Sequence, residues 1–205
     1  MVNIDQLEQP GVRGWLHNPD KVTAAMLLSH GAGGDCNAPL MVAVAKAFSE
    51  AGYLVLRWDL PFRQAGPRSA PGGSGKRDRD GILLAAKLLR QLEPDVPLYL
   101  AGQSYGGRQS SMVAAEDPGA ADGLLLLSYP LHPPGKPAQL RTDHFPALRT
   151  PALFVHGTSD PFGTVDELRE AIKLIPIAPR LQVVGGAGHG VPPATAASMP
   201  GWLSA

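Results

Sequence analysis

Several features that mark other classes of protein are missing from this sequence of 205 residues. Its one cysteine, Cys36, cannot form an internal disulfide, so we expect a reducing, cytoplasmic location. Lysine and arginine together number 18, as do aspartate and glutamate, so no net charge favours nucleic acid or an anionic membrane as a partner. No apolar run approaches the roughly 20 residues that cross a bilayer. The polar, acidic residues 1–10 also differ from an ordinary secretion signal.

Metal-binding spacing is absent as well. The six histidines, the acidic residues and the cysteine show none of the spacings typical of metal ligands, so we expect no metal site and no cofactor. There is no internal repeat and no composition shift that marks a domain boundary. We therefore predict that residues 1–205 form one domain, a length sufficient for one substantial core. The sequence is silent on oligomeric state.

Apolar segments alternate with segments of helical periodicity, which is typical of an α/β fold with a mostly parallel sheet and helices on both faces. Strands are predicted at residues 12–16, 21–29, 53–58, 97–101, 123–128, 152–156 and 180–184. Helices are predicted at residues 39–51, 82–92, 109–116 and from Thr164 or Asp166 to 175, with Asp78 or Asp80 capping the second. Residues 60–79, rich in glycine, proline and arginine, are interpreted as a solvated surface loop.

One motif lies where a strand pattern passes directly into a helical pattern: Gly102-Gln103-Ser104-Tyr105-Gly106. A Gly-x-Ser-x-Gly sequence in that context forms a sharp turn, which places the serine in strained backbone with its hydroxyl clear of the sheet. The following helix N-terminus favours developing negative charge. We therefore predict that Ser104 is a nucleophile.

Two later strands end in residues that suit such a nucleophile. Ser104, Asp160 and His189 follow one another in the chain order expected of α/β-hydrolases, and the carboxyl ends of parallel strands share one edge of a sheet. His189 is predicted to take and return the serine proton. Asp160 is predicted to hold the imidazole in the correct tautomer. A surface aspartate and an uninvolved loop histidine are the alternatives.

An oxyanion hole needs two converging main-chain N–H groups. One is predicted to come from Tyr105, directly after the nucleophile, and the other from Ala32 in the glycine-rich loop of residues 30–34. Gly33 in the same loop is a possible substrate contact. The alternative is a plain glycine turn.

Two further side chains near the predicted site, Arg108 and His132, have two interpretations each. Arg108 could bind a substrate carboxylate, although an ion pair with an acid such as Asp59 is preferred. His132 could line the pocket or belong to a proline-braced loop without a chemical role. Two more histidines, His30 and His156, are expected to make structural hydrogen bonds. Cys36 is expected to be a packed side chain.

These motifs give the sequence a clear resemblance to small α/β-hydrolases of the dienelactone-hydrolase-like kind. More narrowly, it resembles bacterial predicted hydrolases related to testis-expressed protein 30. The resemblance implies an α/β-hydrolase fold and a catalytic triad of Ser104, Asp160 and His189. The matching segments cover nearly the whole chain and include residues 29–34, 57–61, 102–108, 128–137, 140–142 and 156–163.

Two departures from the family pattern refine this expectation. Dienelactone hydrolase itself uses a cysteine nucleophile, whereas this chain has Ser104, which favours ester rather than lactone-specific chemistry. Relatives also often have Lys-Ser-Met-Gly where this chain has Gln-Ser-Tyr-Gly.

We therefore expect a serine hydrolase, specifically a carboxylesterase acting on small soluble esters. A thioesterase, an amidase and a non-catalytic binding protein with the same fold remain as alternatives. Larger relatives insert a helical cap after the strand that follows the nucleophile helix. Here residues 129–150 are short and hold five prolines, so no cap is expected and long acyl chains should bind poorly.

Overall fold

The computed structural model describes residues 1–204, and its centre is an eight-stranded sheet. The spatial order is β1-β2-β4-β3-β5-β6-β7-β8. The pairs β1–β2 and β2–β4 are antiparallel, and all other neighbours are parallel. The predicted mostly parallel α/β sheet is confirmed. The strands are β1 (Val2–Gln9), β2 (Val12–Pro19), β3 (Ala24–Ser29), β4 (Tyr53–Trp58), β5 (Leu98–Gln103), β6 (Gly123–Leu127), β7 (Ala152–Gly157) and β8 (Arg180–Val184).

Helices flank the sheet, and short 3₁₀ turns follow or replace some of them. Between β6 and β7 there is only the 3₁₀ turn Phe145–Ala147, so the chain has no helical cap there, as predicted. No helix within residues 1–204 combines the length and the apolar character needed to cross a membrane. The helices are α1 (Pro39–Glu50), α2 (Pro61–Gln64), α3 (Lys76–Leu92), α4 (Tyr105–Glu116), α5 (Val165–Ala171) and α6 (Met199–Ser204).

The core is divided by the sheet into two apolar clusters, because successive strand residues point to opposite faces. In β3, Leu27 belongs to the cluster under α3 and α4, whereas Met26 and Leu28 belong to the cluster under α1 and α6. All three side chains are fully buried. Burial on both faces explains why the central strands read as continuous apolar runs rather than alternating ones.

The N-terminal strand β1 is absent from the sequence prediction. It pairs with β2 along its whole length, yet most of its side chains are exposed. Main-chain hydrogen bonds therefore hold this edge strand, and it carries little of the apolar pattern by which strands are recognised.

The helix predicted at residues 82–92 begins earlier, at Lys76, and its cap differs from the prediction. Gly75 is the N-cap residue, with φ of 72°, and no side chain caps the helix. Asp78 is instead buried within the first turn. Its carboxylate accepts hydrogen bonds from Phe62 N (3.0 Å) and from the Tyr105 hydroxyl (2.6 Å). Asp78, which the local sequence predicts to be a helix cap, thus connects α2, α3 and α4 through these hydrogen bonds.

Candidate active site

Ser104 stands at the sharp turn between β5 and α4. Its backbone has φ of 50° and ψ of −115°, a region that non-glycine residues rarely occupy. Glycines make the turn possible through close approach. A Cβ atom on Gly102 would lie 2.5 Å from Gly107 N, and one on Gly106 would lie 2.5 Å from His30 O. The motif therefore forms the strand–turn–helix geometry that it predicts.

The structure brings the three predicted catalytic side chains into one hydrogen-bonded line. Ser104 Oγ lies 2.7 Å from His189 Nε2. His189 Nδ1 lies 2.9 Å from both carboxylate oxygens of Asp160. Since a carboxylate only accepts, Nδ1 carries the proton and Nε2 is free to accept one from the serine. The hydrogen bonds therefore run in the direction that general-base activation of a serine requires, from the serine hydroxyl to Nε2 and from Nδ1–H to the carboxylate.

Local packing fixes the orientation of the histidine and the aspartate. The Asp160 side chain is fully buried, and Phe162 N donates to its Oδ1 at 2.8 Å. The Phe162 ring stacks on the His189 imidazole, with 3.8 Å between ring centroids. One face of the imidazole is thereby held by an apolar ring, while its edge faces Ser104.

The loop that carries His189 is held against the end of β7. Ser159 N donates to Ala187 O at 2.9 Å. A Cβ atom on Gly157 would lie 2.3 Å from that same oxygen, so only glycine permits this approach. The last residue of β7 therefore determines how close the histidine loop comes to the aspartate.

The two predicted oxyanion-hole donors lie next to the nucleophile. Tyr105 is the first residue of α4, so its N–H has no acceptor within the helix. Gly34 N donates to Gly31 O at 3.1 Å and closes a turn of residues 31–34, the glycine turn, with Ala32 and Gly33 at its centre. A Cβ atom on Gly31 would lie 3.6 Å from Ser104 Cβ, so this turn borders the serine. No acceptor for Ala32 N–H is found within residues 1–204.

Arg63 holds the glycine turn from behind, a role that the sequence interpretation missed. Its guanidinium donates to Gly34 O (2.9 Å), to Ala32 O (3.2 Å) and to Pro67 O. Arg63 is only 9% exposed. The interpretation of residues 60–79 as a solvated loop is therefore wrong at this position. A guanidinium group whose N–H groups reach several carbonyl oxygens can be buried among them.

His30 secures the start of the same turn. Leu60 N donates to its Nε2 at 3.1 Å, which leaves Nδ1–H to donate to Gly31 O at 2.7 Å. Burial lowers the pKa of His30, which keeps the ring neutral as this tautomer requires. His156 is also buried, and its Nε2 donates to Gly163 O at 2.7 Å. Both histidines make structural hydrogen bonds, in line with the expectation.

An open cavity of about 660 Å³ lies beside Ser104. Its lining includes the glycine turn and residues 71–75 from the loop before α3. A cavity without helical cover suits a small, soluble ligand. The lining residues are Gly31, Ala32, Gly33, Gly34, Pro71, Gly72, Gly73, Ser74, Gly75, Gln103, Ser104, Tyr105, Arg108, Gln109, Pro130, Arg141, Phe162 and His189.

The possible substrate contacts divide into those on the cavity and those elsewhere. Gly33 and Arg108 line it, whereas His132 does not. His132 is buried beside its own loop, with Nδ1 2.8 Å from Pro133 O and Nε2 3.5 Å from Glu167 Oε2. The pocket-lining interpretation of His132 is therefore corrected, because the proline-rich loop folds this side chain toward α5.

The preferred ion pair of Arg108 with Asp59 is also corrected. Asp59 pairs with Arg13 at 2.9 Å and accepts from Cys36 N at 2.9 Å. Although burial opposes ionisation of Asp59, the hydrogen bonds from Cys36 and Arg13 lower its pKa overall. Arg108 thus lines the cavity and does not pair with this carboxylate.

Other groups that could react or bind a metal are not poised to do so. Burial, reinforced by the charge of Asp59, raises the pKa of the Cys36 thiol to about 12, so the thiol remains protonated. Across residues 1–204 no three histidine, cysteine or acidic side chains are grouped so that they could bind a metal ion.

Comparison with known proteins agrees with this architecture. TT1662 from Thermus thermophilus is similar in structure over 100% of this chain and 99% of that protein (TM-score 0.78, 21% identity). Dienelactone hydrolase from Anabaena variabilis is similar over 99% and 95% (TM-score 0.78, 19% identity). XC6422 from Xanthomonas campestris, described as an α/β serine hydrolase without a lid, is similar over 92% and 85% (TM-score 0.71, 21% identity).

At these identities the structural likeness establishes the fold alone. The narrower resemblance to testis-expressed protein 30 stays a prediction. A family model provides the stronger link, because the model of the alpha/beta hydrolase domain matches residues 22–199. The chain therefore belongs to the α/β-hydrolase domain family, which supports a hydrolase that acts on a small molecule.

Proposed function

We propose that the protein is a serine hydrolase that cleaves small carboxylic esters through an acyl-enzyme on Ser104. The observation that carries this proposal is the hydrogen-bonded line from Ser104 Oγ through His189 to the buried Asp160. The serine and histidine border an open cavity.

Acylation begins when Ser104 Oγ attacks the ester carbonyl carbon and His189 Nε2 takes the hydroxyl proton. The carbonyl oxygen becomes an oxyanion, which accepts from the N–H groups of Tyr105 and Ala32. The intermediate then collapses with cleavage of the bond to the leaving oxygen. The imidazolium of His189 returns its proton to that oxygen, and the alcohol departs.

Deacylation repeats these steps with water as the nucleophile. His189 takes a proton from the water, the hydroxide adds to the acyl carbon, and collapse breaks the bond to Ser104 Oγ. The proton returns to the serine, and the carboxylic acid is released. Asp160 stabilises the imidazolium in both halves without itself taking a proton.

Two features of the site lower the energy of the charged intermediates. The N-terminus of α4 directs its dipole at the oxyanion, and the hydrogen bonds of Arg63 and His30 hold the glycine turn before substrate arrives. One preorganised oxyanion donor contributes about 10²–10³-fold in rate in serine hydrolases. Such a gain depends on donors that need not move during the reaction.

One structural neighbour is known with a carboxylic acid bound, which is the class of product that ester hydrolysis releases. Est1E from Butyrivibrio proteoclasticus, known with ferulic acid bound, is similar over 98% of this chain with a TM-score of 0.77 and 17% identity. A thioester or amide would use the same catalytic groups, so the acyl class depends on the cavity.

Fluorophosphonate labelling combined with a substrate panel tests this proposal. The wild-type protein should be labelled at Ser104 and should turn over p-nitrophenyl acetate and butyrate. Ser104→Ala should lose both labelling and turnover with an unchanged melting temperature. Ser198→Ala, which changes an exposed serine outside the cavity, serves as the matched control.

Each contrary outcome points to a different error. Turnover by Ser104→Ala within a few-fold of wild type would remove Ser104 as the nucleophile. If the wild type is labelled and hydrolyses acyl thioesters or amides but no esters, the protein is a serine hydrolase of that acyl class and not an esterase. Absence of labelling and of all turnover would indicate a binding protein.

A further inference from the structure

Two arginines line the cavity beside the nucleophile, and no aspartate or glutamate lines it. Arg108 lies one helical turn after Ser104 on α4, with its N–H bonded to Ser104 O at 2.9 Å. Arg141 comes from the segment between β6 and β7. The cavity that Ser104 borders is therefore lined by two positively charged residues.

Neither arginine is neutralised within the part of the chain that the structure describes. Neither forms an ion pair with a carboxylate there, and Arg108 Nε is buried without a hydrogen-bond partner. Arg141 has one long contact, from Nη1 to Pro130 O at 3.4 Å. Other arginines do pair with acids, as in Arg13–Asp59, Arg79–Glu116, Arg90–Asp122 and Arg169–Asp166.

The buried acids of this region contact other groups. Asp78 accepts from Phe62 N and the Tyr105 hydroxyl. Asp160 accepts from Phe162 N and His189. Within residues 1–204 no carboxylate is in direct contact with either guanidinium group, although a direct partner for partly buried charge is the usual arrangement in proteins.

The uncompensated charge affects the groups around it. Burial lowers the pKa of Arg141, and the charge of Arg108 lowers it further. Burial also lowers the pKa of His144 to about 4, again with Arg108 as the next contributor. The shift of Arg141 indicates that the two guanidinium charges repel each other, whereas His144 stays neutral. An anion between the two arginines would remove that repulsion.

We propose that Arg108 and Arg141 form an anion subsite, and that the natural ester carries a carboxylate or phosphate group in addition to the scissile bond. This inference rests on the proposed esterase function and names its substrate class. A guanidinium fork presents several N–H donors in a plane, which suits both kinds of oxyanion. Two forks that line the same cavity as Ser104 can hold such a group while the serine attacks the ester.

Matched aryl esters test the subsite. The probes are 4-acetoxybenzoate and 4-acetoxyphenyl phosphate, compared with the neutral 4-acetoxybenzamide of nearly the same shape. A second pair places the charge on the acyl side: the 4-nitrophenyl monoesters of terephthalic acid and of 4-carbamoylbenzoic acid. The measured quantity is the ratio of kcat/KM for the charged ester to that for its amide partner.

The wild-type ratio should exceed roughly tenfold for at least one pair, because a hydrogen bond to a charged group contributes on the order of ten- to a hundredfold in binding. Arg108→Gln and Arg141→Gln should each reduce that ratio by about tenfold. Arg149→Gln, which removes an exposed charge bonded only to Pro146 O, is the matched control. Preference for benzoate or for phosphate identifies which anion the subsite accepts.

A wild-type ratio near one for every pair, with all esters hydrolysed, would overturn the subsite and leave the esterase intact. If no ester is hydrolysed, the esterase proposal fails, and calorimetry on Ser104→Ala decides the subsite separately. That variant should bind 4-acetoxybenzoate or 4-acetoxyphenyl phosphate at least tenfold more tightly than the amide. Equal binding would overturn the inference even if either arginine variant failed to fold.

Discussion

The change of Asp160 to asparagine tests how the buried carboxylate controls the tautomer of His189. Phe162 N donates to Oδ1 at 2.8 Å, so in Asp160→Asn the amide oxygen must remain there to accept that bond. The amide NH₂ group then takes the other position, so that the amide oxygen and the NH₂ group each lie 2.9 Å from His189 Nδ1. Because NH₂ only donates, its contact favours the tautomer in which Nδ1 accepts and Nε2 carries the proton. In that tautomer Nε2 faces Ser104 as a donor and cannot accept the hydroxyl proton.

In the active tautomer Nδ1–H would donate to the amide oxygen that already accepts from Phe162 N, and the buried NH₂ group would face Nδ1–H without an acceptor. An unsatisfied buried donor costs about 1–3 kcal/mol, and the imidazolium also loses its neighbouring negative charge. Together these effects should reduce kcat on the order of a thousandfold or more, as in other serine triads. That factor corresponds to about 4 kcal/mol of barrier.

The assay is steady-state hydrolysis of p-nitrophenyl acetate, with thermal melting as the test of the fold. The loss should fall on kcat more than on KM, since the aspartate does not line the cavity. Asp166→Asn, at an exposed aspartate on α5, should retain wild-type rates and serves as the control. A folded Asp160→Asn protein with kcat within tenfold of wild type would refute the tautomer argument.

Three further predictions follow from particular contacts. Arg63→Met should lower kcat at least tenfold with a smaller effect on KM, because the glycine turn loses two hydrogen bonds, at Gly34 O and Ala32 O; Arg63→Lys should restore part of the rate. Burial, reinforced by Arg57, lowers the pKa of His17 from 6.5 to about 4, so between these values the unfolded chain binds a proton that the folded chain does not. The free energy of unfolding should therefore fall as pH drops through that window, and His17→Gln, which still offers Arg57 an acceptor, should reduce the slope in urea titrations. Acetyl and butyryl esters should be hydrolysed with simple saturation, whereas a jump in rate above the solubility limit of a palmitoyl ester would contradict the lidless cavity.

The sequence predicts the parallel part of the fold well because its strands are buried on both faces. Runs such as residues 123–127 and 152–156 carry their own apolar signal and form strands at those positions. Strand β1 and the early start of α3 are not recognisable in the same way. The first depends on main-chain pairing with β2, and the second depends on Asp78, whose partners come from two other helices.

The positions of Ser104, Asp160 and His189 follow from topology, since parallel strands end at one edge of the sheet. The residues that support or complement them are harder to predict. Arg63 is one of several arginines in a loop of low complexity, and only the folded chain shows that it reaches the carbonyls of the glycine turn. Arg141 lies within segment 140–142, one of the segments that carry the family resemblance, and this was the only indication in the sequence that it has a role. Nothing in the neighbouring residues indicates that it lines the cavity.

The segment between β6 and β7 shows how a lidless member of this fold could acquire specificity. Larger relatives use this insertion point for a helical cap, whereas here it is anchored to the core by aromatic contacts of Tyr129 with Phe145 and Phe154. The Tyr129 hydroxyl donates to Arg141 O at 2.6 Å, and Arg141 N donates to Leu131 O at 2.8 Å. Both main-chain groups of Arg141 are thus fixed by buried residues, and its side chain enters the cavity from a rigid base. A cap would supply apolar cover for long acyl chains, but a fixed guanidinium supplies a charge at one point. We therefore expect this site to select its ester by a single anionic group more than by the area of apolar contact.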